Sequence, residues 1–284
     1  MTHRLENTQV PMDPDVVLAA LGLHAGYRST PQVLDCASVS VSRGRRLALL
    51  GANGSGKTTL LRCLSGAHKP TRGTIVCLGN ALAHSHAGLT GHRQRVQLVL
   101  QDPDDQLFSA DVYQDVSYGP MNLGLPVDAV RERVASALAA LEIVDLADRP
   151  VHHLSFGQRK RVAIAGALAM HPAVLLLDEP TAGLDPAAIV AMRRALDRLE
   201  ALGTTVVLST HDVDLAWSWA DEVAVVVDGV VHQDVAVKAL TDRVLLERAR
   251  LGLPWPAELL SRLGHEIDPL APPRSVDDVA RMLR

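Results

Sequence analysis

Apolar positions along this chain follow two rhythms. Short runs rich in Val, Leu and Ala, each bounded by turn-forming residues, predict strands at "VVLAALGL" (16–23), "VLDCASVSV" (33–41), "RRLALL" (45–50), "GTIVCL" (73–78), "RVQLVLQ" (95–101), "AVLLLDE" (173–179), "TTVVLST" (204–210) and "EVAVVVD" (222–228). Longer stretches between them carry helical spacing, with starts expected after Gly56, after Pro186 and near Asp212. The run 173–179 is apolar on both faces, as a central parallel strand under helices must be. Alternation of this kind predicts an α/β fold with a largely parallel sheet.

The alternation stops between about 102 and 170, where the pattern is helical. In "DAVRERVASALAALEIV", Val130, Val134, Leu138 and Leu141 recur at helical spacing and define one amphipathic helix. Two helix patterns inserted between strands predict a small helical subdomain. From 236 onward, helix pattern mixes with prolines in "LGLPWPAELL" and "PLAPPRS". The expected organisation is a main domain over 14–235, its helical subdomain at about 102–170, and a C-terminal accessory region over 236–284.

Composition narrows the classes. A chain of 284 residues, 48% hydrophobic, can bury a large core, and with only 3% aromatics that core must rest on Ala, Val and Leu. The net charge of -4 gives no general reason to bind nucleic acid or an acidic membrane, and no nucleic-acid partner is expected. Cys36, Cys63 and Cys77 lack CxxC spacing and fit a reducing cytosol. The start, "MTHRLENTQVPMDPD", has no apolar stretch of signal-peptide type. The longest near-apolar run, "VAIAGALAMHPAVLLL", is shorter than a membrane span and is interrupted by His171 and Pro172. Work at a membrane would therefore need other chains.

The chemistry begins at "LLGANGSGKTTLL" (49–61). Gly51 to Thr58 fit GxxxxGK[ST], here between a predicted strand and a predicted helix, which is the context that gives the motif meaning. Glycines let successive N–H groups turn inward on phosphate oxygens, and the helix start adds its dipole. Lys57 would reach the β- and γ-phosphates and Thr58 would ligate Mg²⁺. Farther on, "VLLLDEP" ends an apolar strand in Asp178 and Glu179. Two buried acids side by side are costly unless a cation or a chemical task holds them. Asp178 suits Mg²⁺ and Glu179 suits a general base for an attacking water. In "HLSFGQRKRVAIAGALAM", Ser155 and Gly157 precede a strongly helical run and present a further helix N-terminus.

Taken together, these segments resemble the ATP-binding cassette (ABC) ATPases, from roughly Tyr27 to His211 and with motifs in the family's order. The resemblance implies a P-loop NTPase core with an inserted helical subdomain, and ATP and Mg²⁺ as ligands. It implies ATP-binding roles for Tyr27, Gly51, Asn53, Gly54, Ser55, Gly56, Lys57, Thr58 and Thr59, with Tyr27 stacking on adenine. Thr58, Gln101 and Asp178 become the Mg²⁺ set, and Glu179, His211 and Gln101 the catalytic set. Ser155, Gly157 and Gln158 match the signature LSGGQ, with Phe156 in place of its first glycine, and Asp185 matches the D-loop aspartate. Each motif occurs once, so the family's pattern implies a head-to-tail pair, a homodimer or a pair with a sister ATPase. The signature of one protomer would then act on the ATP of the other.

Three functions compete: a transporter motor, a soluble ABC protein of translation or DNA maintenance, and another P-loop enzyme such as a small-molecule kinase. The signature and His211 disfavour the kinase. The chain shows neither a second cassette nor a long coiled-coil insertion, which disfavours the soluble ABC proteins. "QDPDDQLFSADVYQDVSYGPMNLGLP" and "LTDRVLLERARLGLP" are similar to the energy-coupling factor (ECF) subfamily, most of all its cobalt and nickel importers. Vitamin importers share much of this pattern. The resemblance implies a peripheral subunit at the cytoplasmic face of the cell membrane, docked on membrane-embedded coupling and substrate-binding subunits. Phe108, Tyr113, Tyr118 and Met121 cluster in this segment as a candidate docking surface. His84, His86 and His92 in "AHSHAGLTGHR" lack a Cys or acidic partner at ligand spacing and read as a polar loop. The basic clusters "RGRR" (43–46) and "QRKR" (158–161) read as solvated faces.

Overall fold

In the computed structural model, which describes Val10 and residues 12–283, the strands divide between two sheets. The signal-peptide expectation rests on residues that lie mostly outside that range. The chain opens with β1 (Val16–Tyr27) and β2 (Thr30–Ser42), an antiparallel hairpin turning at Arg28–Ser29. Strand β3 (Leu47–Leu50) leads through a glycine-rich loop into α1 (Lys57–Leu64). Strands β4 (Arg72–Cys77) and β5 (Asn80–Ala81) return to the hairpin and complete an antiparallel sheet ordered β2-β1-β4-β5.

Helix α2 (His86–Arg95) then enters β6 (Val96–Val99). The helical subdomain follows as α3 (Val112–Asn122), α4 (Val127–Ala140) and α5 (Phe156–Leu168). Next come β7 (Val174–Asp178), α6 (Pro186–Ala201), β8 (Thr205–Thr210), α7 (Val213–Trp219), β9 (Glu222–Val227) and β10 (Val230–Val235). The second sheet runs β10-β9-β3-β8-β7-β6, parallel throughout except for the antiparallel β9–β10 pair. The tail adds α8 (Ala236–Thr241), α9 (Arg243–Arg248), α10 (Trp255–Arg262) and α11 (Val276–Met282).

Residue alternation explains how one sheet serves two cores. Leu47, Leu49, Val174, Leu176, Val207 and Ala224 face α1 and the antiparallel sheet. Their neighbours Ala48, Leu50, Leu175, Leu177, Leu208 and Val225 face the opposite layer, with α5, α6 and α7. Burying each Leu in such a core stabilises by roughly 1.5–3 kcal/mol, more than a surface ion pair supplies. The tail shares the second core, since Ala236, Val237, Leu240, Leu246 and Ala257 are buried in it.

Four sequence expectations need correction. The antiparallel sheet was not foreseen, because a βα alternation signals only crossover-linked strands. Of the stretch 84–92 only His84 and Ser85 are loop, since Ser85 accepts from Gly88 N–H at 3.2 Å and α2 starts at His86. His92 is buried on that helix, with Nε2 2.7 Å from Leu64 O, so Nε2 must carry the proton. Nor is 158–161 a solvated face. Lys160 is buried, Arg159 donates to Leu154 O at 2.7 Å and pairs with Asp104, and Arg161 donates to Leu141 O at 3.3 Å. Within 43–46, Arg43, Gly44 and Arg45 are exposed as expected, and only Arg46 departs, half-buried and paired with Asp221 at 2.9 Å.

Candidate functional site

The glycine-rich loop closes because of two backbone positions. A Cβ on Gly51 would stand 2.4 Å from Ser55 Oγ and 2.7 Å from Val226 O, so only glycine fits there. Gly56 caps α1 in the left-handed region at φ 110° and offers no side-chain acceptor, which leaves the helix's first N–H groups free. Ser55 Oγ is buried without a hydrogen-bond partner. A loop with free N–H groups and an orphaned hydroxyl fits a phosphate.

Lys57 is buried at the centre of this loop. Its Nζ donates to Gly51 O at 2.7 Å and to Ala52 O at 3.3 Å, and lies 3.4 Å from Glu179 Oε1. Thr58 Oγ1 donates to Asp178 Oδ2 at 2.8 Å, and Ser209 Oγ donates to Asp178 Oδ1 at 2.5 Å. The backbone N–H of Glu179 donates to Ser209 Oγ at 3.0 Å. His211 Nδ1 completes the group, 3.1 Å from Glu179 Oε2. Glu179 itself sits at φ 47°, a left-handed conformation that a residue with a Cβ adopts only when its surroundings hold it there.

Two clefts meet at Thr58. One, of about 450 Å³, is lined by Tyr27, Asn53, Gly54, Gly56, Lys57, Thr59, Gln101 and Glu179. The other, of similar volume, is lined by Gln101, Asp102, Phe156, Asp178 and Gly183. Tyr27 is partly exposed, its OH 3.5 Å from Thr59 Oγ1 and its ring 4.9 Å from that of His68. Thr58, Gln101 and Asp178 bring hard oxygen donors to one wall, a set that suits Mg²⁺.

Sequence reasoning thus finds its phosphate loop, both acids, Gln101 and His211 converging on one place. The signature residues are not among those lining the first cleft. Ser155 caps α5 by accepting from Gln158 N–H at 3.3 Å, while Gln158 Oε1 accepts from Ser155 N–H at 2.9 Å. Asp185 is exposed and accepts from Ala188 N–H at 2.8 Å at the start of α6.

Two residues that matter here were missed. Ser209 carries no motif of its own, though its place in "LST" directly before "HD" was a clue to proximity. Lys160 lay hidden in a basic run. Its Nζ donates to Glu179 O and Ala182 O, each at 2.8 Å, and desolvation pushes it down to about 8 against the opposing pull of Glu179, Asp102 and Asp178.

Comparison with known proteins identifies the family. Residues 34–182 match the model of the ABC transporter family. The chain belongs to that family. Its relatives include a cobalt import ATP-binding protein, CbiO, of Rhodobacter capsulatus, 51% identical over 87% of this chain and 89% of the relative. An energy-coupling factor transporter ATP-binding protein, EcfA, of Methanothermobacter thermautotrophicus is 45% identical over 81% and 76% of the two chains. Among solved structures, cbiO1 from Clostridium perfringens, part of the ABC transporter complex cbiONQ, superposes with a TM-score of 0.75. It is 40% identical and is matched over 87% of this chain and 99% of its own. A bacterial ABC transporter cassette solved as a dimer gives 0.69 at 25% identity, over 77% of this chain and 98% of its own. As an ABC transporter ATP-binding chain, this protein binds and hydrolyses ATP.

Proposed function

We propose that this chain is the ATP-hydrolysing subunit of an ECF-type importer, peripheral at the cytoplasmic face of the membrane, with cobalt as the cargo. The observation that carries its ATPase role is the Glu179 carboxylate, set between Lys57 Nζ at 3.4 Å and His211 Nδ1 at 3.1 Å at the mouth of the phosphate loop. The names of the relatives support the importer and its cargo, with nickel or a vitamin as the alternatives.

Lys57 and the loop N–H groups bind the β- and γ-phosphates, and Tyr27 stacks on the adenine. Thr58, Asp178 and Gln101 would hold Mg²⁺, which would supply neutralisation of phosphate charge. Glu179 takes a proton from the attacking water as the water oxygen bonds to the γ-phosphorus. The bond to the bridging oxygen breaks and leaves ADP and phosphate. His211 orients the Glu179 carboxylate. Two copies, or one copy and a sister ATPase, pair head to tail so that Ser155, Gly157 and Gln158 of one close over the ATP of the other, with Asp185 at the seam.

Among the described residues no helix is long and apolar enough to cross a membrane. On this reading membrane-embedded subunits supply the channel. Phe108, Tyr118 and Met121 are exposed at 65%, 51% and 63%, an apolar surface suited to receiving a segment of such a subunit. Co-reconstitution with the membrane subunits in vesicles tests the reading by cobalt uptake and phosphate release. Lys57→Ala loses ATP binding, whereas Glu179→Gln keeps it and turns over at roughly a hundredth of the wild-type rate or less. Full turnover by Glu179→Gln would overturn the general-base role. Uptake of nickel or a vitamin, and not of cobalt, would replace the cargo alone.

A further inference from the structure

Lys160 is a cation with 3% exposure, and the hydrolytic steps above leave it without a task. Both oxygens that receive its protons belong to the turn leaving β7, those of Glu179 and Ala182. This turn holds Glu179 in the left-handed region, where a side chain is tolerated only if neighbours fix the backbone. Ser209 fixes it at the Glu179 N–H and Lys160 at the Glu179 carbonyl.

Phe156 covers this contact. Its ring centroid lies 5.3 Å from Lys160 Nζ, within cation–π range, and a Cβ on Gly183 would stand 3.1 Å from the ring edge. One residue on, a Cβ on Gly157 would stand 3.1 Å from the Ala188 side chain. The N-terminus of α5 is therefore packed directly against the segment that runs from Glu179 into α6. A shift of α5 moves Lys160, and with it the backbone that aims the Glu179 carboxylate.

We propose that Lys160 is a positioning residue for hydrolysis, holding the Glu179 backbone in its working conformation and linking it through Phe156 and α5 to the same chain's Ser155. Because Ser155 serves the second copy's ATP, each site then senses the closure of the other through this cation. The inference rests on the reading of Glu179 as general base, so Glu179→Gln is assayed in parallel.

The test is steady-state ATPase kinetics of the full chain with its membrane subunits, together with melting temperature and ATP affinity of each variant. Lys160→Met removes the donors while keeping a long buried stem. It lowers kcat about ten-fold or more, leaves KM for ATP within about two-fold, and moves the Hill coefficient toward one. Lys160→Gln keeps an amide donor and retains at least roughly a third of the wild-type kcat. Wild-type kcat and cooperativity in Lys160→Met would overturn the proposal. So would a Lys160→Gln variant below about a tenth of wild-type kcat with unchanged melting temperature. A Lys160→Met protein too unstable to assay leaves the decision to that glutamine criterion. Should Glu179→Gln turn over normally, it is the site reading that fails.

Discussion

Ser209 Oγ lies 2.5 Å from Asp178 Oδ1, and the same oxygen accepts the N–H of Glu179 at 3.0 Å. One buried hydroxyl thus spans the acid assigned to Mg²⁺ and the acid assigned to the water. Ser209→Ala leaves both an acceptor and a donor unpaired in a dry site. It is expected to cost about 1–3 kcal/mol of folding stability and to slow hydrolysis more than it weakens ATP binding. Urea unfolding and single-turnover phosphate release measure the two effects. Wild-type turnover in a destabilised protein would show that Ser209 serves the fold alone.

Association should depend on nucleotide. On the proposed head-to-tail pairing, ATP would bridge Lys57 of one copy and Ser155 of another, so Glu179→Gln with ATP is expected to accumulate as a closed dimer and the free chain to be mostly monomeric or loosely paired. Light scattering with and without ATP distinguishes these states. An ATP-independent monomer with full activity would rule out a shared site.

Phe108 and Tyr118 meet edge to face, with centroids 4.7 Å apart, yet both remain exposed. A contact of this kind between rings that are still wet contributes little to the fold. Phe108→Asp or Tyr118→Asp is therefore expected to abolish co-purification with the membrane subunits and cargo uptake while keeping basal ATPase within about two-fold. Parallel loss of melting temperature and basal ATPase would mean that these rings pack the subdomain instead.

His92 gives a pH dependence with a definite sign. Burial holds its pKa below the ordinary 6.5, and Nε2–H is committed to Leu64 O. Between its folded value and 6.5 the unfolded chain binds more protons, so stability falls as pH falls through that window. His92→Gln, which keeps a donor but cannot titrate, should flatten that part of the stability profile. A profile unchanged by the substitution would assign the acid sensitivity to other groups.

The sequence made the parallel sheet and the phosphate loop legible for a physical reason. Strands buried on both faces, such as Val174–Asp178, must be apolar throughout, and a phosphate cradle needs glycines at fixed spacing. Exposure of the aromatics in 108–121 was legible too, since they fall outside the helical core period. Lys160 was not, because a basic run on a helix is solvated in most proteins and only tertiary packing distinguishes the buried member. His92 was hidden for a related reason, its burial being set by the approach of the distant Leu64 carbonyl. The antiparallel sheet escaped because Leu18 pairs with Cys77 and Val41, a register that no local pattern encodes.

The helix that follows His211 is secured from far downstream. Trp217 Nε1 donates to Pro273 O at 2.6 Å, Trp255 N–H donates to Asp214 Oδ1 at 2.8 Å, and Arg274 lies 3.6 Å from Asp221. Synthesis from the N-terminus therefore delivers the phosphate loop, both acids and His211 well before the anchors of α7 exist. At that stage α7 has its apolar packing against the sheet, through Leu215 and Ala216, but not yet its polar contacts with the tail. The two hydrogen bonds span 56 and 41 residues of sequence, so they can close only after the tail has been made.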